Sequence, residues 1–127
     1  MAVLPDDLLR SAKDFCGIAK NEADYRGCIS RGYYAGFHAA KIFHQSLSSS
    51  GKLLGNCGEH ENLLHMLNNP TIPETDGNHL TSREIYVYLK KILFNRRLAD
   101  YQIDQPVNKK NVDIVFAESN LLFDALN

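Results

Sequence analysis

The sequence of 127 residues is poor in the features that mark several large classes of protein. It has no tryptophan and only four prolines, and its net charge of −1 gives no general attraction to nucleic acid or to anionic membranes. Its strictly apolar runs are only a few residues long, too short to span a bilayer. The N-terminus lacks the basic start and the apolar segment of a signal peptide, so we predict a cytoplasmic protein that does not enter membranes.

The metal-binding and phosphate-binding signatures are also missing. The three cysteines, Cys16, Cys28 and Cys57, form no C-x-x-C pair, and their odd number predicts reduced thiols, with Cys16 and Cys28 in the core. His60 and His65 lie five residues apart, not the four that place two imidazoles on one metal. No glycine-rich loop is followed by Lys-Ser or Lys-Thr. We therefore expect neither a metal nor a cofactor.

What the chain does contain is helical periodicity. Apolar residues recur at helical spacing after Pro5 and predict a first helix of about 17 residues that ends near Asn21. A second helix follows almost at once and is expected to reach about Leu47. A third, shorter helix is predicted over 59–68, between a glycine-rich loop and a loop that contains two prolines.

Two more helices follow towards the C-terminus. Thr81 and Glu84 form a capping signature, which predicts a fourth helix from Ser82 to about Gln102. Asn108 is suited to cap a fifth helix after the break at 106. Because no segment alternates as a strand does, we predict a single all-α domain over 1–127, a four- to five-helix up-and-down bundle.

The second helix has a polar stripe that ordinary core packing does not require. Arg31, Tyr34 and His38 share one face, since residues three, four and seven apart align on a helix. Arg31 is suited either to pair with Asp100 or Asp24 or to grip a phosphate. His38 is suited either to a buried structural role or to acid–base work. Both pairs of alternatives are open at this point.

The fourth helix carries a second polar element at the end of its apolar stripe. Ile85, Leu89 and Ile92 continue one turn later into Arg96, and another turn on into Asp100. A cation and a carboxylate four residues apart form a helical ion pair or line a polar pocket. The sequence favours the ion pair and leaves the pocket as an alternative.

The segments 30–40 on the second helix and 96–101 on the fourth together resemble the HEPN superfamily. The resemblance is greatest to its branch of small uncharacterised proteins with Ser-Arg-x-Tyr-Tyr-Ala-x-Phe-His and Arg-x-x-Ala-Asp-Tyr. It extends from about residue 23 to the final helix, and the matching residues are Ser30, Arg31, Tyr33, Tyr34, Ala35, Phe37, His38, Arg96, Ala99, Asp100 and Tyr101. It implies a HEPN-like bundle that is often dimeric. Many HEPN proteins are metal-independent endoribonucleases in toxin–antitoxin and defence systems, and others bind RNA or nucleotides.

The sequence differs from the HEPN nucleases at one position of their motif, and this difference bears on whether the chain is a nuclease or a binding module. HEPN nucleases carry Arg-x(4–6)-His, whereas Arg96 is followed at the corresponding place by Tyr101. A phenol with a pKa of about 10 is a poor base at neutral pH. The sequence therefore favours a binding module over an enzyme, with an endoribonuclease that uses His38, Arg96 and Tyr101 as the alternative.

The resemblance also implies binding residues and partners. The predicted partners are a second copy of the chain, RNA or a nucleotide, and an antitoxin or nucleotidyltransferase protein. The candidate binding residues combine the polar positions of both helices: Arg31, Tyr34, His38, Arg96, Asp100 and Tyr101.

Overall fold

The computed structural model describes residues 3–127, so positions 1 and 2 of the predicted domain lie outside the described residues. Within 3–127 it contains five helices and no strand, which confirms the all-α bundle. None of these helices is both long and apolar enough to cross a membrane. The helices are α1 (Pro5–Gly17), α2 (Glu22–Gln45), α3 (Glu59–Asn68), α4 (Gly77–Tyr101) and α5 (Lys109–Leu126).

The helix ends differ from prediction where a competing cap is present. α1 stops at Gly17, four residues early, because Asn21 caps α2 by accepting a hydrogen bond from the backbone of Asp24 at 2.9 Å. α4 starts at Gly77, five residues before the predicted start, because Asp76 is the cap. Thr81 lies inside that helix and donates to the Gly77 carbonyl. The Asn108 cap of α5 is confirmed.

α2 is the centre of the bundle and packs against all four other helices. A small residue lets α5 approach it closely, since a Cβ at Gly32 would lie 2.9 Å from Val115 Cγ1. The largest side chains that are fully buried come from α2, α3, α4 and α5, including Ile29, Leu67, Ile85 and Leu122. The hydrophobic effect over this shared core holds the helices together.

Two of the three cysteines differ from the prediction of reduced thiols. Cys16 and Cys28 are joined as a disulfide between α1 and α2, with their Cα atoms 5.5 Å apart. The prediction was wrong for this pair because the α1–α2 turn brings the two helix faces together, which a search for C-x-x-C spacing does not detect. Cys57 is free and exposed.

The C-terminal end of α4 is held by an arginine from α2. Arg26 Nη1 donates to the carbonyls of Leu98 and Ala99, each at 3.0 Å, and its guanidinium also reaches carbonyls at 102, 103 and 105. The last carbonyls of a helix lack partners within the helix and carry its negative dipole end, so a cation is favourable there. The Val107 amide donates a further hydrogen bond to the Glu22 carboxylate at 3.2 Å. The contacts of Arg26 hold the last turn of α4 against α2.

Candidate functional site

Polar side chains from three helices meet where α2, α4 and the start of α3 come together. We call this group the Arg96 cluster, and it consists of Ser30, Tyr33, His60, Arg96, Asp100 and Tyr101. Its position follows from two ties between helices. Arg26 holds the end of α4, and Lys41 Nζ lies 2.6 Å from Glu59 Oε1, which brings the first turn of α3 onto α2.

Arg96 is the central charge of the cluster. Its Nε lies 2.8 Å from Asp100 Oδ2, and the same oxygen accepts a hydrogen bond from Ser30 Oγ at 3.2 Å. The guanidinium carbon lies 5.3 Å from the ring centre of Tyr33 and 5.0 Å from that of Tyr101, within range of cation–π attraction. Within the described residues neither Nη atom has a hydrogen-bond partner. The Arg96 side chain is 13% exposed, so part of this guanidinium is accessible to a ligand.

Tyr33 and His60 form a hydrogen bond whose direction can be derived. The Tyr33 hydroxyl lies within hydrogen-bonding distance of His60 Nδ1, and Tyr33 is buried. Burial raises the pKa of Tyr33 above its usual range, so the phenol keeps its proton. A buried hydroxyl needs an acceptor, and Nδ1 serves as one. Neutral His60 then carries its hydrogen on Nε2, which makes it a second donor in the cluster.

Asp100 is the carboxylate that balances the charge of Arg96 within the cluster. Burial is the main cause that lowers the pKa of His60 below its usual 6.5, and the positive charge of Arg96 lowers it further. The nearby Glu61 is paired with Arg97, and Glu59 with Lys41, so neither neutralises Arg96 directly. Asp100 contacts Arg96 through Nε, so the two Nη atoms are the part of the guanidinium that has no carboxylate within hydrogen-bonding distance among the described residues.

The structure places the predicted site residues in three locations. Arg96, Asp100 and Tyr101 are together, and Arg96 forms the predicted ion pair with Asp100. Arg31 lies elsewhere: its guanidinium carbon is 3.8 Å from the ring centre of Phe15 on α1, and it pairs with neither Asp100 nor Asp24.

Tyr34 and His38 lie beside the cluster and not within it. The two rings stack 6.0 Å apart, and Tyr34 is exposed. The ring of Tyr34 is 6.2 Å from that of the buried Tyr33, so the exposed ring of Tyr34 lies next to the cluster. Stacking of this kind is available to a flat ligand as well as to a neighbouring side chain.

Sequence reasoning missed Ser30, Tyr33 and His60 as site residues. Ser30 and Tyr33 could have been found from the sequence, because positions 26, 30, 33 and 37 share one face of α2. This face lies next to the predicted polar stripe of α2. No local signal marks His60, because its place depends on how α3 packs. No group of three or more His, Cys, Asp or Glu side chains over 3–127 is arranged to hold a metal ion.

We expect the protein to lose stability as the pH falls through and below about 6.5. Burial lowers the pKa of His44, whose Nε2 accepts from the Gly51 amide at 3.1 Å, and burial lowers that of His60 as well. A histidine with a lowered pKa in the folded state takes up its proton more readily when unfolded, so acid favours unfolding. Urea denaturation at pH 7.5 and 5.5 measures the difference.

Substitutions separate this effect from general acid sensitivity. His44→Gln with His60→Gln should reduce the difference between the two pH values, whereas His79→Gln at the start of α4 should leave it unchanged. Equal pH dependence in all three proteins would contradict the assignment.

The comparisons with known proteins give no family assignment. No family model matches the sequence, and neither the curated proteins nor the solved structures give a significant match. The resemblance to HEPN proteins therefore depends on the residues of the two motifs on α2 and α4.

Proposed function

We propose that this chain is a HEPN-like domain that binds single-stranded RNA at the Arg96 cluster. The observation that supports it is the Arg96 guanidinium, which is anchored at Nε by Asp100 and keeps both Nη atoms without a partner in the described residues. A guanidinium with two free Nη groups matches the spacing of phosphate oxygens. His60 Nε2 offers a further neutral donor.

The exposed rings account for the choice of a single strand. Tyr101 and Tyr34 are both exposed; Tyr101 lies against Arg96, and Tyr34 lies beside Tyr33. Unpaired bases stack on aromatic rings and on guanidinium planes, whereas bases in a duplex are not available for this contact. One phosphate at Arg96 with bases on either ring is the arrangement we propose.

Binding fits the cluster better than cleavage does. Metal-independent cleavage of RNA requires a base to take the 2′-hydroxyl proton while the 5′-oxygen leaves the phosphorus. His60 Nδ1 is occupied by the Tyr33 hydroxyl and Nε2 carries the hydrogen, so this imidazole is a donor and not a base. His38 remains the residue to test for the endoribonuclease alternative.

The decisive experiment is a titration of a fluorescent single-stranded oligonucleotide of uniform sequence with wild-type and variant protein. Arg96→Gln should weaken binding about tenfold or more, since a charge-assisted contact to phosphate contributes about 1.5–3 kcal/mol. Tyr101→Ala should weaken it by a similar factor through lost stacking. The matched control is Arg10→Gln on α1, whose side chain is exposed and pairs only with Asp7 among the described residues.

The same samples separate the alternatives. If AMP displaces the oligonucleotide and binds with an affinity similar to that of the RNA, the cluster is assigned to a free nucleotide. Cleavage of the RNA in the presence of EDTA that disappears in His38→Ala would establish the nuclease instead. Binding that is equal in Arg96→Gln and Arg10→Gln would overturn the proposal.

The wider biological setting follows from the family resemblance. We propose a homodimer that works in the cytoplasm as part of a toxin–antitoxin or defence system, together with an antitoxin or a nucleotidyltransferase protein. Light scattering of the free protein tests the dimer directly, since a dimer has twice the 14.3 kDa mass of one chain.

A further inference from the structure

The outer face of α4 carries apolar residues that the bundle does not cover. Leu80, Val87, Phe94 and Tyr101 are exposed by 72%, 46%, 66% and 68% and follow one another at intervals of seven residues. The buried residues of the helix, such as Ile85, lie on the opposite side. We call these four positions the outer row.

The spacing of the outer row points to a helix as its partner. Seven residues fall about 20° short of two full turns, so the row drifts across the surface of α4 in the left-handed sense. A second helix that packs in the left-handed manner of coiled coils follows this path. A lipid surface or an RNA strand imposes no seven-residue repeat.

A row of basic residues with the same seven-residue spacing lies beside the outer row and indicates the charge of the partner helix. Arg83, Lys90 and Arg97 are exposed, and each follows a member of the outer row by three residues. Lys90 Nζ lies 5.6 Å from the ring centre of Tyr86, and Arg97 pairs with Glu61 of α3. A helix on the outer row therefore has a line of cations along one edge, which acidic side chains would match.

A cavity beside the rows provides a place for an anchoring side chain. It lies between α3 and α4, has a volume of about 270 Å³, and is apolar at Leu64 and Leu93 with Phe94 at its edge. Lys90 and Arg97 also line it. Anchors of this kind, in which one bulky side chain fills a pocket, dominate many helix-binding surfaces.

We propose that the outer row of α4 binds an amphipathic helix of another protein, with an apolar residue at every seventh position and an acidic row beside it. A second copy of this chain does not fit as well. Glu84 is the only carboxylate among the exposed residues of α4, and an antiparallel α4 pair centred on the row would bring Lys90 and Lys91 against their counterparts. The outer row shares Tyr101 with the Arg96 cluster, whereas Leu80, Val87 and Phe94 lie outside it, so a substitution at Phe94 tests the helix-binding surface separately from the RNA site.

The test uses two labelled synthetic helices and the full chain. Both peptides are about 22 residues long, with leucine at every seventh position in an alanine background. One carries glutamate in the adjacent row and the other carries lysine. Fluorescence anisotropy should show that the glutamate peptide binds about tenfold more tightly at low salt, with the difference reduced at high salt.

Variants then identify the surface. Phe94→Asp should abolish binding of the glutamate peptide, whereas Ile114→Asp, at an exposed apolar position on α5, should not. The double variant Arg83→Glu with Lys90→Glu should prefer the lysine peptide, and circular dichroism verifies that each variant is folded. RNA binding by Phe94→Asp should equal that of the wild type.

Several outcomes would overturn the proposal. These are no binding of the glutamate peptide up to about 1 mM, equal binding of both peptides, and equal losses in the two aspartate variants. Binding to anionic vesicles that Phe94→Asp abolishes would assign the row to a membrane surface. A fall from dimer to monomer in Phe94→Asp by light scattering would assign it to a second copy of the chain.

Discussion

Gly51→Ala is expected to lower the free energy of unfolding by about 3 kcal/mol, a large effect for a single added methyl group. A Cβ at this position would collide with the backbone of Met66 on α3, at 2.6 Å from its carbonyl carbon and 2.8 Å from its Cα. The Gly51 amide is held by His44, and the next amide, of Lys52, donates to Asn69 at 2.9 Å. Because backbone on both sides is fixed, the clash cannot be relieved by a side-chain rotation.

Urea denaturation monitored by circular dichroism measures this effect. The matched control is Gly17→Ala at the last position of α1, where a Cβ would meet no atom within 4 Å. That substitution should change stability by no more than about 0.5 kcal/mol. If the two alanine variants unfold at the same urea concentration, the close approach of the loop to α3 is not present in solution.

Arg26→Met is expected to cost about 3 kcal/mol and to loosen the last turn of α4. Methionine keeps the length and most of the apolar stem of the side chain but removes the guanidinium donors to the carbonyls at the helix end. Buried or half-buried carbonyls that lose charged donors cost about 1–3 kcal/mol each, and their losses are not additive. The effect should reach RNA binding, because Asp100 and Tyr101 lie in that turn.

Hydrogen exchange localises the change. The Gln102 amide donates to the Leu98 carbonyl, and its protection should fall more in Arg26→Met than the protection of amides near the middle of α2. Arg10→Met is the control, since the exposed Arg10 bonds only to Asp7 among the described residues and should change stability little. Equal destabilisation by the two methionine variants would show that the contacts of Arg26 with α4 contribute nothing.

Features that depend on neighbouring residues could be predicted from the sequence. The five helices follow from their apolar spacing, and the pairing of Arg96 with Asp100 follows because residues four apart face each other on a helix. The start of α4 was predicted wrongly because two capping signatures lie close together. Asp76 takes the cap, and Thr81 bonds within the helix that results.

Features that depend on packing could not be predicted. His60 joins the Arg96 cluster only because α3 folds back against α2 and α4, and Tyr33 looks like a core residue until that contact forms. The pairing of Cys16 with Cys28 likewise needs the turn between α1 and α2. Arg31 illustrates the reverse case, since α1 offers the ring of Phe15 and draws the guanidinium away from the predicted site.

The position of α2 has a consequence for how such sequences can change. Ten of the 24 residues of α2 are buried against its neighbours, so substitutions in related chains are expected to be restricted at these positions and to accumulate on the exposed face of α2, in the other helices and in the loops. The longer of the two motifs lies on this helix. A motif on α2 that is shared between chains is therefore expected to reflect the packing of the bundle. Chains that keep this motif can differ in the chemistry of the residues at the ends of α3 and α4.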